Sequence, residues 1–198
     1  MRATGYGYRG YNKTPLAADE WGRPGYSRLN VYGASVIRPL GAGLAKAEYA
    51  YHDAIDDSKG SDPRIPNSQS RWLVGYEQEL VSNLTGAVQW YSEYTYNHAA
   101  LLRASLWPGY EPEETRHVVT TQLIYRALQQ TLTLNAFNFY SPTDNDGYLR
   151  VKATYSPVDS WQVSGGVNVF YGDKDHTFYA QFNDASNVFL SFRYYYQE

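Results

Sequence analysis

The chain of 198 residues carries 17 Lys and Arg against 20 Asp and Glu, and its bases are scattered among acids, which excludes the basic stripe of a nucleic-acid-binding surface. It contains no cysteine, which excludes a disulfide framework, a thiolate metal site and a thiol nucleophile. Charged residues make up 19% of the chain, below the roughly 25% of soluble domains, whereas 17% is aromatic and 21 residues are tyrosine, a bias that suits a membrane interface or a binding face.

Length fits one domain. No stretch approaches the roughly 18 consecutive apolar residues of a membrane helix, so any spanning element must be a strand. Met1-Arg2 runs straight into Ala3-Thr4-Gly5-Tyr6 without the apolar core of a signal peptide, so an exported chain is expected here in a processed, recloned or truncated form. Alternation and turn residues predict strands over 3–10, 25–38, 43–53, 70–81, 84–96, 116–127, 131–141, 147–156, 160–171 and 187–196. Their lengths suit a tilted membrane strand of roughly 9–11 residues. Short turns at Pro39-Leu40-Gly41-Ala42, Ser82-Asn83, Leu128-Gln129-Gln130 and Pro157-Val158-Asp159 alternate with long connections over 11–24, 54–69, 97–115 and 172–186; only 142–146 is brief on the long side. Outer-membrane barrels show this asymmetry between periplasmic turns and external loops. The predicted fold is therefore all-β, a transmembrane antiparallel up-and-down β-barrel with about ten strands in this chain.

In several strands the charges keep to one face. Trp72, Val74 and Tyr76 oppose Arg71, Glu77 and Glu79; Leu149, Val151 and Ala153 oppose Arg150 and Lys152; Val188, Leu190 and Phe192 oppose Arg193. The strand at 116–127 is mixed, with Val118 and Ile124 on the parity of Arg116, Gln122 and Arg126. A charge facing lipid near the midplane costs about 2–4 kcal/mol, so an apolar exterior accounts for the segregation. A soluble sheet segregates charges too, with its apolar face inward. The outward reading is preferred because apolar faces end in Trp72, Trp90, Tyr125, Trp161, Tyr171, Tyr194 and Tyr196, the composition of interfacial girdles.

The stretches RLNVYGASVIRPLGAGLAKAEYAYHD at 28–53, SRWLVGYEQEL at 70–80 and FYSPTDNDGYLRVKATYSPVDSWQVSGGVNVFYGDKDHTFYAQF at 139–182 resemble uncharacterised porin-like outer-membrane proteins of Gram-negative bacteria. The resemblance implies a β-barrel in the outer membrane and brings no substrate or catalytic residue. Longer members of this kind have further N-terminal strands, so the resemblance leaves two alternatives, a complete ten-stranded barrel and the C-terminal part of a larger one. The end NVFLSFRYYYQE resembles the terminal strand read by the barrel-insertion machinery, although Gln197-Glu198 follow the closing aromatic Tyr196. Lipid of the outer membrane and that machinery are the partners implied; no cofactor is.

Arg28, Lys46, Glu48, Arg71, Glu77, Glu79, Glu93, Arg116, Arg126, Arg150, Lys152 and Arg193 form the expected inward set. Such residues line an aqueous path whose charge sets ion preference, or pair into a plug, since eight strands leave an interior just wide enough for side chains. The first function expected is passive passage of small solutes or ions, and the alternative is a non-conducting barrel that anchors or binds through its loops. Less favoured are a hydrolase at the rim, where His52, Asp53, Asp56 and Asp57 and the loop Asp173-Lys174-Asp175-His176 hold acids and imidazoles, and a soluble ligand-binding barrel. Loop Asp and His are commonly turn formers, and no catalytic or metal residue is assigned.

Overall fold

Val, Thr and aromatic residues at alternate positions favour a pleated, half-buried surface, and in the computed structural model, which describes residues 1–196, long strands form wherever that alternation runs. The strands are β1 (Arg2–Tyr11), β2 (Ala17–Ala18), β3 (Pro24–Gly25), β4 (Arg28–Leu40), β5 (Gly43–Ala54), β6 (Gln69–Val81), β7 (Leu84–Thr95), β8 (Thr115–Ala127), β9 (Leu132–Ser141), β10 (Asp146–Val158), β11 (Trp161–Gly172) and β12 (Asn187–Tyr194). Ten of them make one antiparallel sheet in the order β1-β4-β5-β6-β7-β8-β9-β10-β11-β12, and β2 with β3 forms a separate ribbon. The strand expected from residue 25 begins at Arg28 because Pro24 and Gly25 pair with Ala18 and Ala17. Three connections expected to be plain loops hold structure: the β2–β3 ribbon, helix α1 (His98–Ala104), whose HAALLRA sequence is rich in good helix formers, and a 3₁₀ helix at Ala180–Ala185.

The expected closure into a barrel is not met. Among the described residues β1 is hydrogen-bonded within the sheet to β4 and β12 to β11, and no ladder joins β1 to β12, so the sheet is open at both edges. Gln197-Glu198, which bear on the terminal-strand resemblance, lie outside the described residues.

The chain divides into two compact units, one of Met1–Arg38, Lys46–Val74 and Tyr91–His117, the other of Pro39–Ala45, Gly75–Trp90 and Val118–Glu198. In the first, β1 pairs with β4 from Arg2↔Ile37 to Tyr11↔Arg28. Pro39 lies beyond the last of these pairs, where its missing N–H breaks no bond to β1. In the second, β8, β9, β10, β11 and β12 run as consecutive antiparallel neighbours. The β10–β11 register shifts by one between Tyr155 and Val158, around Pro157, which has no N–H to offer the ladder.

These registers fix the two faces. Leu149↔Val169, Val151↔Val167, Ala153↔Gly165 and Tyr155↔Val163 form one face of β10–β11, and Arg150↔Asn168, Lys152↔Gly166 and Thr154↔Ser164 the other. On β8 and β9, Leu123↔Ala136 and Tyr125↔Leu134 share the apolar face, which leaves Ile124 with Arg126 and makes the mixed character of β8 genuine.

Burial is inverted relative to a soluble sheet. Among the described residues the buried apolar side chains are Leu29, Ala54, Val118, Tyr179 and Ala180, while Ser27, Ser68, Ser70, Ser92, Thr95, Thr120, Ser141 and Ser164 are among a larger buried polar set. Val74, Val88, Leu123, Val151, Val163 and Leu190 are exposed. The chain leaves 12963 Å² accessible, where a folded soluble monomer of its mass exposes about 9,500 Å².

The short turns use left-handed backbone. Gly41 has φ 59°, Asn83 φ 66°, and Leu128, Gln129 and Gln130 have φ 50°, 54° and 71°. A Cβ in this region costs about 1–2 kcal/mol. Gly41→Ala is therefore expected to lower the unfolding free energy in detergent by that order, and so its urea midpoint, whereas Asn83→Gly is tolerated. Urea titration followed by circular dichroism checks both, and an unchanged midpoint in Gly41→Ala would contradict the turn geometry.

Candidate functional site

Each position on the charge-bearing face arises from pairing, since directly opposed residues share a face. In the unit containing β8–β12 the charge-bearing face is ordered in rows. Thr120, Phe139, Tyr148 and Phe170 are consecutive partners across four strands, followed on the same face by Gln122, Phe137, Arg150, Asn168 and Asn187, and then by Ile124, Asn135, Lys152, Gly166 and Phe189. Arg126 and Arg193 lie on the same face nearer the short turns, Arg126 opposite Thr133 and Arg193 opposite Gln162.

The aromatic row is closely stacked. Tyr148 lies 4.6 Å from Phe170 at 16° and 6.3 Å from Phe139 at 17°, and Tyr179 covers Phe139 at 5.7 Å. The Tyr148 hydroxyl donates to Asn168 Oδ1 (2.7 Å), and the Asn168 amide donates to Asn187 Oδ1 (2.9 Å). Sequence reading did not single out this row, although Tyr148 and Phe170 share parity with Arg150 and Asn168. The segment after β11 returns to the row and is anchored by Asp146: the Tyr179 N–H donates to its fully buried carboxylate (2.6 Å).

In the other unit Arg71 lies 3.3 Å from Glu93 and donates to Gln69 Oε1 (2.6 Å). Gln69 donates to Glu93 Oε1 (2.9 Å), and Tyr91 donates to Glu93 Oε2 (2.7 Å). Glu93 thus accepts from two side chains, pairs with a third, and is held rigidly on the face. Lys46, Glu48, Glu77, Arg126 and Lys152 make no ion pair or side-chain hydrogen bond among the described residues, while the Glu79 carboxylate accepts the Asn83 N–H (2.8 Å) at a short turn. Arg150 packs its guanidinium over Phe189, 5.6 Å from the ring centre, and Arg116 is the second residue of β8.

Arg28 departs from the expected inward set. It shares parity with Asn30, Tyr32 and Ala34, and Asn30 donates to Asp53 (3.0 Å) on the parity of Tyr49, the opposite face to Lys46 and Glu48. Its charge is tolerated there because it is the first residue of its strand, at the long-loop end, where Asp56 pairs with it at 2.6 Å.

The apolar faces carry the expected aromatics, with one exception. Trp72 and Tyr171 lie towards the long-loop ends of β6 and β11; Tyr125, Trp161 and Tyr194 lie at the short-turn ends of theirs, with Tyr196 just beyond. Trp72 packs on Tyr49 (5.7 Å) and Trp161 on Phe192 (4.8 Å) and Tyr194 (5.1 Å). Trp90 instead occupies the middle of β7, away from either rim.

Rim acids are taken up by loop structure. Asp53 accepts from Asn30, Asp56 from Arg28, and Asp57 from the N–H groups of Lys59 and Asp62. Backbone N–H donation from Arg23 holds Asp19 below the usual carboxylate range, that from Arg28 does so for Asp56, and the Arg64 side chain does so for Asp62. The chain matches no family model, no curated protein and no solved structure.

Two outcomes follow from this geometry. Asp146→Ala strands the Tyr179 N–H at a cost of about 1–3 kcal/mol, so limited proteolysis within 173–186 should accelerate while the strands persist; unchanged cleavage would rule out the anchor. The depressed pKa values of Asp19, Asp56 and Asp62 contribute loop order that is present above the ordinary carboxylate pKa and is lost as pH falls through the lower folded values. Hydrogen exchange at 19–23 and 56–64, corrected for its intrinsic pH dependence, should therefore rise selectively in that acidic range.

Proposed function

We propose that this chain forms part of a transmembrane antiparallel β-barrel of a Gram-negative outer membrane, with porin-like passive passage of small solutes or ions along its charge-bearing face. The observation that carries the reading is the inverted pairing of faces within each unit: Trp72 and Val74 stand exposed on the face of β6 opposite Arg71 in the first, and Val151, Leu190 and Trp161 stand exposed on the face opposite Arg150 and Lys152 in the second. Hydrocarbon outside and water inside make both faces favourable at once. The strands of 8–13 residues suit the bilayer. The open edges at β1 and β12 fit the larger barrel that the sequence resemblance allows, with further strands pairing there.

Incompletely paired charges favour a hydrated path over a self-satisfied plug. A second reading, a silent barrel that binds through its loops, draws on Trp21, Trp107 and Tyr110, which are 76%, 70% and 65% exposed in the long connections.

Refolding into detergent and then a planar bilayer tests the proposal, with a heat-modifiable gel band as the measure of folding. Discrete conductance steps are expected, and Arg71→Glu should move the reversal potential in a salt gradient towards cation preference. A folded, bilayer-inserted protein that passes no current would remove the channel reading and leave the loop-binding one.

A further inference from the structure

The charge-bearing face is uneven in a way that points to what it binds. From Val118 onward, the charged residues of that face on β8–β12 are Arg126, Arg150, Lys152 and Arg193, together with Asp146, which is fully buried at the loop end and already accepts the Tyr179 N–H. The acids of the inward set, Glu48, Glu77, Glu79 and Glu93, belong to β5–β7.

Within this stretch, whose one acid is the buried Asp146, one place is constructed. Arg150 and Lys152 are two residues apart on β10 and share a face. The partners of Lys152 are Asn135 on β9 and Gly166 on β11, and the next residue in that row is Phe189 on β12. Gly166 leaves the position beside Lys152 without a side chain: a Cβ there would stand 3.0 Å from the Phe189 ring and 2.3 Å from the Val151 carbonyl oxygen. The Phe189 ring occupies that room and supports the Arg150 guanidinium at 5.6 Å. A cation held over an aromatic face is oriented without being neutralised. Lys152 and Asn135 make no side-chain hydrogen bond among the described residues, so an ammonium and a carboxamide with unused donors stand opposite each other in the row next to Arg150 on the same face.

We propose that Arg150, Lys152 and Asn135, positioned through Gly166 and Phe189, form a binding site for the oxyanion group of a solute, a carboxylate or a phosphate. The planar guanidinium offers paired N–H donors to two oxygens, the ammonium adds a point charge, and the carboxamide adds a neutral donor. The inference deepens the channel reading by naming its solute class, yet the site exists on this face whether or not current flows.

The test is calorimetric titration of the refolded chain in detergent with inorganic phosphate and, separately, with succinate, at constant ionic strength set by chloride. Saturable binding of at least one anion is expected, and which one binds separates phosphate from carboxylate recognition. Removing charge-assisted bonds in the double variant Arg150→Gln and Lys152→Gln should weaken binding about tenfold or more. Phe189→Leu, which keeps every charge, should weaken it by a smaller factor through loss of the perch. Arg193→Gln, an equal loss of charge at the short-turn end, should leave affinity unchanged if the site is local. Variants are scored only when heat-modifiable. No saturable binding of either anion, undiminished binding in the double variant, or an equal loss in Arg193→Gln would overturn the proposal. Binding without bilayer current would uphold the site while removing the channel, and current without binding would do the reverse.

Discussion

The two-residue period of a strand, locked by register against its neighbours, is the constraint on which everything else here rests. A slip of one residue along any ladder exchanges its faces and carries Arg150 and Lys152 to the side of Val151 and Ala153. The β9–β10 ladder keeps a single register from Asp146↔Ser141 to Tyr155↔Leu132, and the β8–β9 ladder from Val119↔Tyr140 to Ala127↔Leu132. Where a register does change, at Tyr155 and Val158, it does so beside the Pro157–Val158–Asp159 turn, at the end of the ladder, where few side chains follow. The turns support this precision: left-handed residues at Gly41, Asn83 and Leu128–Gln130 reverse the chain within a few positions and leave little freedom to slide.

From that register follows the reversed distribution of polar and apolar side chains. Serine is small enough to lie buried against neighbouring rings even on the apolar face, as Ser70, two residues from Trp72, does between the hydroxyls of Tyr49 and Tyr96, at 3.0 and 2.9 Å. Such hydroxyl pairs satisfy buried polar atoms locally. The large apolar side chains are left on the open side, where they gain nothing from water and are suited to hydrocarbon. The long connections are ordered differently, by Asp carboxylates that gather backbone N–H groups and by the return of Tyr179 onto the aromatic row.

Strand positions and face assignments were legible in the sequence because both depend on nearest-neighbour alternation. Predicted and observed strands differ by a few residues at their ends, most at the start of β4, where a Pro-Gly pair could not be distinguished from the strand it precedes. Arg28 was misplaced for a related reason: parity was extended to the strand's first residue, where solvent and Asp56 relax the demand on it. Trp90 was assigned to a rim from its residue type, although rim location depends on distance along the strand. The aromatic row and the Arg150–Phe189 contact lay beyond reach, because each joins residues on different strands through registers that no local pattern contains. Closure was equally inaccessible, since alternation is the same in an open sheet and a closed one.

The open edges set the final constraint on the membrane reading. In hydrocarbon an unsatisfied backbone group costs several kcal/mol. An edge strand of this length leaves on the order of ten such groups, a penalty of tens of kcal/mol that exceeds the net stability of about 5–15 kcal/mol typical of a folded domain. Both β1 and β12 must therefore gain partners in a bilayer. Their directions restrict how: β1 runs towards the long-loop side and β12 away from it, as their connections to β4 and from β11 require. Two such strands are antiparallel, so they are suited to pair directly, or through any even number of intervening strands, while an odd number would force a parallel pair into the ladder. The same even count keeps every added short turn on the side of Gly41 and Asn83. A larger barrel of the proposed kind would thus inherit its sidedness from these strands.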